Sequence, residues 1–481
     1  MPCTTILVGK KASYDGSTMI ARNDDSGAGG YTPKKIRVVL PKDQPIVYKS
    51  VISHCEIPLP SRPMKYTSVP NALKGEGVWA ACGINEKNVG MTATETITSN
   101  ARVLGADPLV VYKPATGGKK AVAGGIGEED LVSIVLPYIK TAKEGVERLG
   151  SLLEKFGTYE MNGIAFSDVN EIWWFESVGG HHWIAKRVPD DMYVVMPNQL
   201  GIDEFDLKDA LGAQKNYMCS KDMKSFIENA HLDISTDGKF NARAAFGSHD
   251  DSDHIYNTPR AWVAERYLNP RTYKWDGEGA DFNPENDDIP WCLKPERKIT
   301  VEDITRILAD HFQGTPYDPY RKSSDVKYRP IGVNRTDFMG LVQIRPYASN
   351  DARGLEWISF GSGVFNVTVP FYSAGTVVPK YLANTTDTVS TDNFYWVSRI
   401  IGALADPHFA RTEIHIERYK DKVAARSHEI INKYDAMKKF DPDEANAELA
   451  AMVKEETDKA LANVLKESSN CMKNSFARSD A

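Results

Sequence analysis

Apolar and polar residues alternate along 3–8, in a run rich in Thr, Ile and Val, and alternate again along 17–22, after a connection bounded by Gly9 and Gly16. That pattern predicts a β-hairpin at the head of the chain. Further strand-like runs are GVWAACGI (77–84), NVGMTATETI (88–97), GIAFSDVNEIWWFES (163–177), HHWIAKRV (181–188) and MYVVMPN (192–198), joined by Gly, Asn-Glu or Pro-Asp turns that suit antiparallel pairing. Between them, residues 128–156 open with acids and close on Lys-Phe-Gly, the charge order a helix prefers. A second strand-rich block covers 341–372, and from 391 onward Ala, Glu, Lys and Leu fall at helical spacing. Residues 202–330, rich in Asp, Asn, Pro and aromatics, read as long elaborations on the core. This order of strands, helix, strands and helices predicts an α+β fold with antiparallel sheets rather than a Rossmann alternation.

The remaining composition narrows the function by exclusion. A net charge of −7, with basic pairs scattered along the chain, argues against a nucleic-acid binder, which neutralises phosphates with clustered Lys and Arg. The most apolar run, LVSIVLPYI at 131–139, is too short to span a bilayer, and the first residues lack the basic and apolar regions of a signal peptide, so a cytoplasmic protein without a membrane partner is expected. Six cysteines, at 3, 55, 82, 219, 292 and 471, include no C-x-x-C pair, and the adjacent His181 and His182 point opposite ways if they lie on a strand. No metal site and no cofactor are expected. GGIGEED at 124–130 lacks phosphate-cradle spacing, and no G-x-S-x-G elbow is present.

Cys3, at the head of the first strand, is the residue that invites chemistry. A thiol needs a base or a lowered pKa to become a nucleophile, and no histidine lies near it in sequence. An amino-terminal residue has its own α-amine, which titrates near about 8, so a Cys3 exposed by processing would carry nucleophile and base together. A simple fold-back of the hairpin lays position 22 opposite position 3, which brings Arg22-Asn23-Asp24-Asp25 beside the cysteine. A guanidinium there favours thiolate, and an aspartate orients the amine.

With Cys-Thr-Thr at the start, then GSTMIARNDD, NEKNVGM, FSDVNEIWWFES, GGHHWIAKRVPDD and MPNQL, the chain resembles the cysteine dipeptidases of the amino-terminal-nucleophile (Ntn) hydrolases, the dipeptidase A/PepD type. It is more distantly similar to secernins, choloylglycine hydrolases and penicillin V acylases. The resemblance implies a four-layer αββα sandwich, amide-bond hydrolysis without metal, and dipeptides as substrates. It makes Cys3 the nucleophile and Arg22 and Asp25 its supporting residues. Asn198 then matches an oxyanion-hole position, and Arg260 matches a second arginine of the pattern, with Arg266 as a nearby rival. The acylase relatives place an Asn where this chain has Glu95, a carboxylate suited to a substrate ammonium. The implied organisation is a short propeptide at 1–2, a catalytic domain over 3–390 with insertions at 202–330, and a helical extension over 391–481 packed on the core. A long helical tail suits a homo-oligomer or intramolecular packing equally. The rival readings are an acylase of penicillin V or bile-salt type, and a catalytically silent secernin-like binding protein.

Overall fold

The computed structural model describes residues 3–27 and 30–475; Met1 and Pro2, the expected propeptide, lie outside the described residues. The strands of the two large sheets, in chain order, are β1 (Thr4–Val8), β2 (Thr18–Asp25), β3 (Cys82–Ile84), β4 (Gly90–Thr96), β5 (Asn162–Ser167), β6 (Ile172–Val178), β7 (His182–Arg187), β8 (Tyr193–Met196), β9 (Tyr217–Cys219), β10 (Cys292–Leu293), β11 (Thr336–Ile344), β12 (Gly354–Phe360) and β13 (Val369–Tyr372). Seven of them form one antiparallel sheet in the order β10-β8-β1-β2-β11-β12-β13, and six form another in the order β9-β7-β6-β5-β4-β3. The sheets stack face to face, β2 against β4 and β5 and β11 against β3 and β4.

Alternation along the strands explains the stacking. Leu7, Ile20, Val342 and Ile344 point inward and share a core with Ala165 and Trp174 of the facing sheet. The opposite positions Ile6, Met19, Ala21 and Leu341 point outward and need a second cover. Helices supply it: α1 (Ala142–Phe156) packs on β5, β6 and β7, while α2 (Thr258–Leu268), α3 (Val301–Leu308) and α4 (Phe394–Ala405) pack on the outer face of the seven-stranded sheet. The layers therefore run helix, sheet, sheet, helix, as an α+β sandwich. α5 (Phe409–Asp435) and α6 (Pro442–Ser475) close over the edge strand β13, and Val423, Ile430, Leu449 and Val453 join the same core as Trp357 and Phe371. Among the described residues no helix is long and apolar enough to cross a membrane.

Several predicted elements come out shorter. The helix expected over 128–156 is a turn of helix at Leu131–Val135, a 3-10 turn at Leu136–Tyr138 around Pro137, and then α1, restarted by the Thr141 side chain accepting from Glu144 N. Only Cys82–Ile84 of the run at 77–84 is strand, because Trp79 and Ala81 take left-handed backbone conformations. His181 and His182 do not diverge: His181 sits on the turn that follows Gly179 and Gly180, and both ring Nδ1 atoms reach Asp107, at 2.9 and 2.7 Å. The segment 202–330 contributes α2 and α3 to the outer layer.

Candidate active site

Cys3 stands at the entrance to β1, fully buried between the sheets. The hairpin pairs Thr5 with Arg22 and Thr4 with Asn23, so Asp24 rather than Arg22 stands across from Cys3, two residues from the simple fold-back expectation. Arg22 nevertheless reaches the cysteine. It shares the inward face with Cys3 and Thr5, and its Nη2 lies 3.5 Å from Cys3 Sγ. The same nitrogen donates to Asp24 Oδ1 at 3.0 Å and to Glu128 Oε1 at 2.7 Å, while Nη1 donates to the carbonyls of Ala93 and Ala81 in the opposite sheet. Lys34 Nζ closes the group on Asp24 at 3.0 Å.

The strand period separates the two aspartates. Asp24 falls on the inward face with Arg22, whereas Asp25 falls on the outer face, where Arg329 pairs with it and Thr336 donates to it at 2.6 Å. Asp24, Lys34 and Glu128 were not singled out from the sequence. The signal available for Asp24 was its i+2 spacing from Arg22 on a strand.

Glu95 is brought to the same space by a bulge in β4. Ala93 pairs with Ile164 and Glu95 with the next residue, Gly163, leaving Thr94 as the extra residue. Met91 and Ala93 face α1, and without the bulge Glu95 would follow them; with it, Glu95 turns inward and its Oε2 accepts from Thr5 Oγ1 at 2.8 Å. Its Oε1 is buried without a hydrogen-bond partner among the described residues.

Asn198 follows β8 directly. Its Nδ2 donates to Thr96 O at 2.8 Å, and its Oδ1 accepts from Arg260 Nη2 at 2.7 Å. The turn after it is tied down by Glu176, a fully buried side chain on β6 that accepts from the backbone N–H of Gly201 and Ile202 at 2.7 and 3.2 Å. Arg260, carried by α2, donates through Nη1 to Cys3 O and to Thr4 Oγ1, the latter at 2.8 Å. Arg266 lies elsewhere on that helix, paired with Asp276 at 2.9 Å. The structure thus gathers Cys3, Arg22, Glu95, Asn198 and Arg260, and sets Asp25 on the far side of β2.

Electrostatics in this space follow from burial. Desolvation pushes the Cys3 thiol up to about 12, with Arg22 as the strongest opposing influence. Burial likewise raises Glu95 and Glu128 above the usual carboxylate range, against the pull of Arg260 on the first and Arg22 on the second. Arg260 is pressed downward by burial and by the neighbouring charge of Arg329. For Asp24, desolvation is outweighed by the ammonium of Lys34 and by Arg22, which hold it ionised. The result is a buried cluster with a thiol, two acids inclined to hold protons, and two fixed guanidiniums. Such a set can move protons and bind charge at a peptide carbonyl without a metal ligand set.

Comparison with known proteins agrees with that chemistry. Residues 2–422 match peptidase family C69. A dipeptidase of Bifidobacterium longum (strain NCC 2705) is 52% identical across 100% of both chains. A probable dipeptidase A of Streptococcus pyogenes serotype M3 (strain SSI-1) is 49% identical, also over 100% of each. A dipeptidase A of Lactobacillus helveticus is 41% identical over 90% of this chain and 88% of its own. The chain therefore belongs to peptidase family C69 and is a cysteine-type peptidase, an enzyme that hydrolyses peptide bonds.

Proposed function

We propose that the chain is a dipeptidase whose nucleophile is Cys3, made amino-terminal by removal of Met1 and Pro2. The observation that carries this reading is Cys3 Sγ lying 3.5 Å from Arg22 Nη2 in a buried site that also holds Glu95 and Asn198. Burial keeps the Cys3 sulfur a thiol at neutral pH, so a base must take its proton. The α-amine of the same residue, at about 8 in its ordinary state, is the base closest to hand. Sulfur attacks the scissile carbonyl, the amine returns the proton to the leaving amino acid, and water then cleaves the thioester to release the second. The Asn198 amide, oriented by Arg260 and the Thr96 carbonyl, binds the oxyanion, a contact worth about 3–4 kcal/mol in the transition state.

Glu95, ionised as the cation approaches, offers to the substrate ammonium its Oε1, which has no hydrogen-bond partner among the described residues. This favours dipeptides over the acylase substrates, which carry no ammonium. Asp25, clamped by Arg329 and Thr336, steadies the end of β2. The catalytic unit spans residues 3–390, with the helices after 390 as an extension that shares its core.

The test is a panel of free dipeptides, N-acetylated dipeptides and tripeptides, run with wild type and Cys3→Ala. Free dipeptides cleaved only by wild type support the reading. Equal cleavage of N-acetylated and free dipeptides, or activity retained by Cys3→Ala, contradicts it.

A further inference from the structure

Next to Arg260 the chain gathers guanidiniums, one of which the chemistry above leaves unused. The ring of Tyr256 has three guanidinium carbons around it, those of Arg329, Arg260 and Arg335, at 5.3, 5.6 and 5.7 Å from its centre. Arg260 is fully buried and bound to Cys3 O and Asn198; Arg329 is buried and paired with Asp25. Arg335 differs from both. It is half-buried, its Nη2 donates to the Tyr256 hydroxyl, and among the described residues it forms no ion pair with a carboxylate. Arg260 faces Glu95 and Arg329 pairs with Asp25, whereas Arg335 has no carboxylate partner among the described residues.

We infer that Arg335, with the Tyr256 hydroxyl beside it, receives the terminal carboxylate of the dipeptide, so that the substrate lies with its ammonium at Glu95 and its carboxylate at the arginine wall. This rests on the dipeptidase reading and adds the polarity of binding and the reason a free carboxyl end is required. A planar guanidinium and a neighbouring phenol match the two oxygens of a carboxylate. In an unmodified dipeptide of neutral side chains, the carboxylate is the one anionic group available. It lies about one residue, roughly 3.5 Å, beyond the attacked carbonyl. A longer peptide would carry a neutral amide at that place and leave Arg335 without a counter-charge, a penalty of the kind that separates substrates sharply.

The experiment compares leucyl-alanine with leucyl-alanine amide, which differ only in that charge, on wild type, Arg335→Gln and Arg335→Lys. Wild type should show a KM about 10-fold or more higher for the amide, and Arg335→Gln should raise KM for the free dipeptide by about 10-fold, more than it lowers kcat, with little change in KM for the amide. Arg335→Lys should recover part of the difference. Should Arg335→Gln melt early, Tyr256→Phe keeps the ring, removes the hydroxyl, and should reproduce the selective loss in weaker form. Equal effects on both substrates, or no discrimination between them by wild type, overturn the inference while leaving Cys3-dependent hydrolysis in place. Absence of Cys3-dependent cleavage of either substrate overturns the dipeptidase reading, and the inference with it.

Discussion

Arg22 is the residue through which the site is held together, and removing it exposes how. Arg22, Asp24, Glu128 and Lys34 form a buried group of two cations and two acids, each with a side chain at most 3% exposed. Arg22→Gln leaves two carboxylates facing one ammonium, and breaking a buried pair in this way costs about 3–5 kcal/mol. Glu128 lies above the usual carboxylate range even with Arg22 present, so in the variant it takes up a proton more readily and relieves part of the loss. Below about pH 7 Glu128 is protonated in both folded proteins, so its share of the cost should appear as pH rises through about 7, where the wild-type carboxyl ionises and the variant's does not. Glu128→Gln alone removes one acceptor of Arg22 and should cost about 1–3 kcal/mol. The double variant is expected to lose about 2 kcal/mol less than the two single costs combined, because the stranded carboxylate is gone. Urea unfolding followed by circular dichroism and tryptophan fluorescence at pH 5 and pH 7.5 measures these differences. In parallel, iodoacetamide should modify Cys3 about 10-fold more slowly in Arg22→Gln, since the guanidinium is the largest influence favouring thiolate. Costs that add to within about 0.5 kcal/mol, or an unchanged rate of Cys3 modification, would refute the reasoning.

Replacing Cys55, Cys82, Cys219, Cys292 or Cys471 singly should leave dipeptide hydrolysis largely intact, and prolonged dialysis against EDTA should leave the rate unchanged while iodoacetamide abolishes it; loss on chelation that zinc or manganese restores would point to a metallopeptidase. Glu95→Gln should raise KM for free dipeptides and narrow the preference over N-acetylated ones, as steady-state kinetics on the pair will show. Asp107, gripped by His181 and His182, is lowered from 3.8 to about 2 despite its burial, so its carboxylate supports the fold above about pH 4 by about 2 kcal/mol and that support fades as pH falls towards 2. The melting-temperature gap between wild type and Asp107→Asn should narrow accordingly; a gap constant from pH 6 to pH 3 would speak against it.

The sequence was informative where periodicity and local chemistry decide the outcome. Alternation at 3–8 and 17–22 marks β1 and β2, and the position of Cys3 at the strand head follows from it. What escaped was set by the partner across the fold. The register of the first hairpin depends on how the chain between Gly9 and Gly16 is tied, and there Ser13 pairs with Ile299 and Gly9 N–H donates to Met192 O, contacts no local pattern announces. Glu95 faces the thiol only because of the bulge at Thr94, which period-two reading cannot foresee. Glu128 reads as the acidic opening of a helix, yet Pro137 interrupts that helix and the side chain is spent on Arg22. Between Asp24 and Asp25, strand parity would have assigned the first to Arg22, whereas the resemblance drew attention to the second. The four-layer order itself was implied by the resemblance rather than by any run of residues.

The most direct test of the central claim is the mass of the amino-terminal peptide from fully active enzyme, acid-quenched during turnover of a dipeptide. A nucleophilic, amino-terminal Cys3 requires a peptide that begins at Cys3 and carries the substrate's acyl group on that sulfur, with Cys3→Ala protein showing no adduct. Active enzyme that still begins with Met1 or Pro2, or an acyl group found on any other residue, would contradict it.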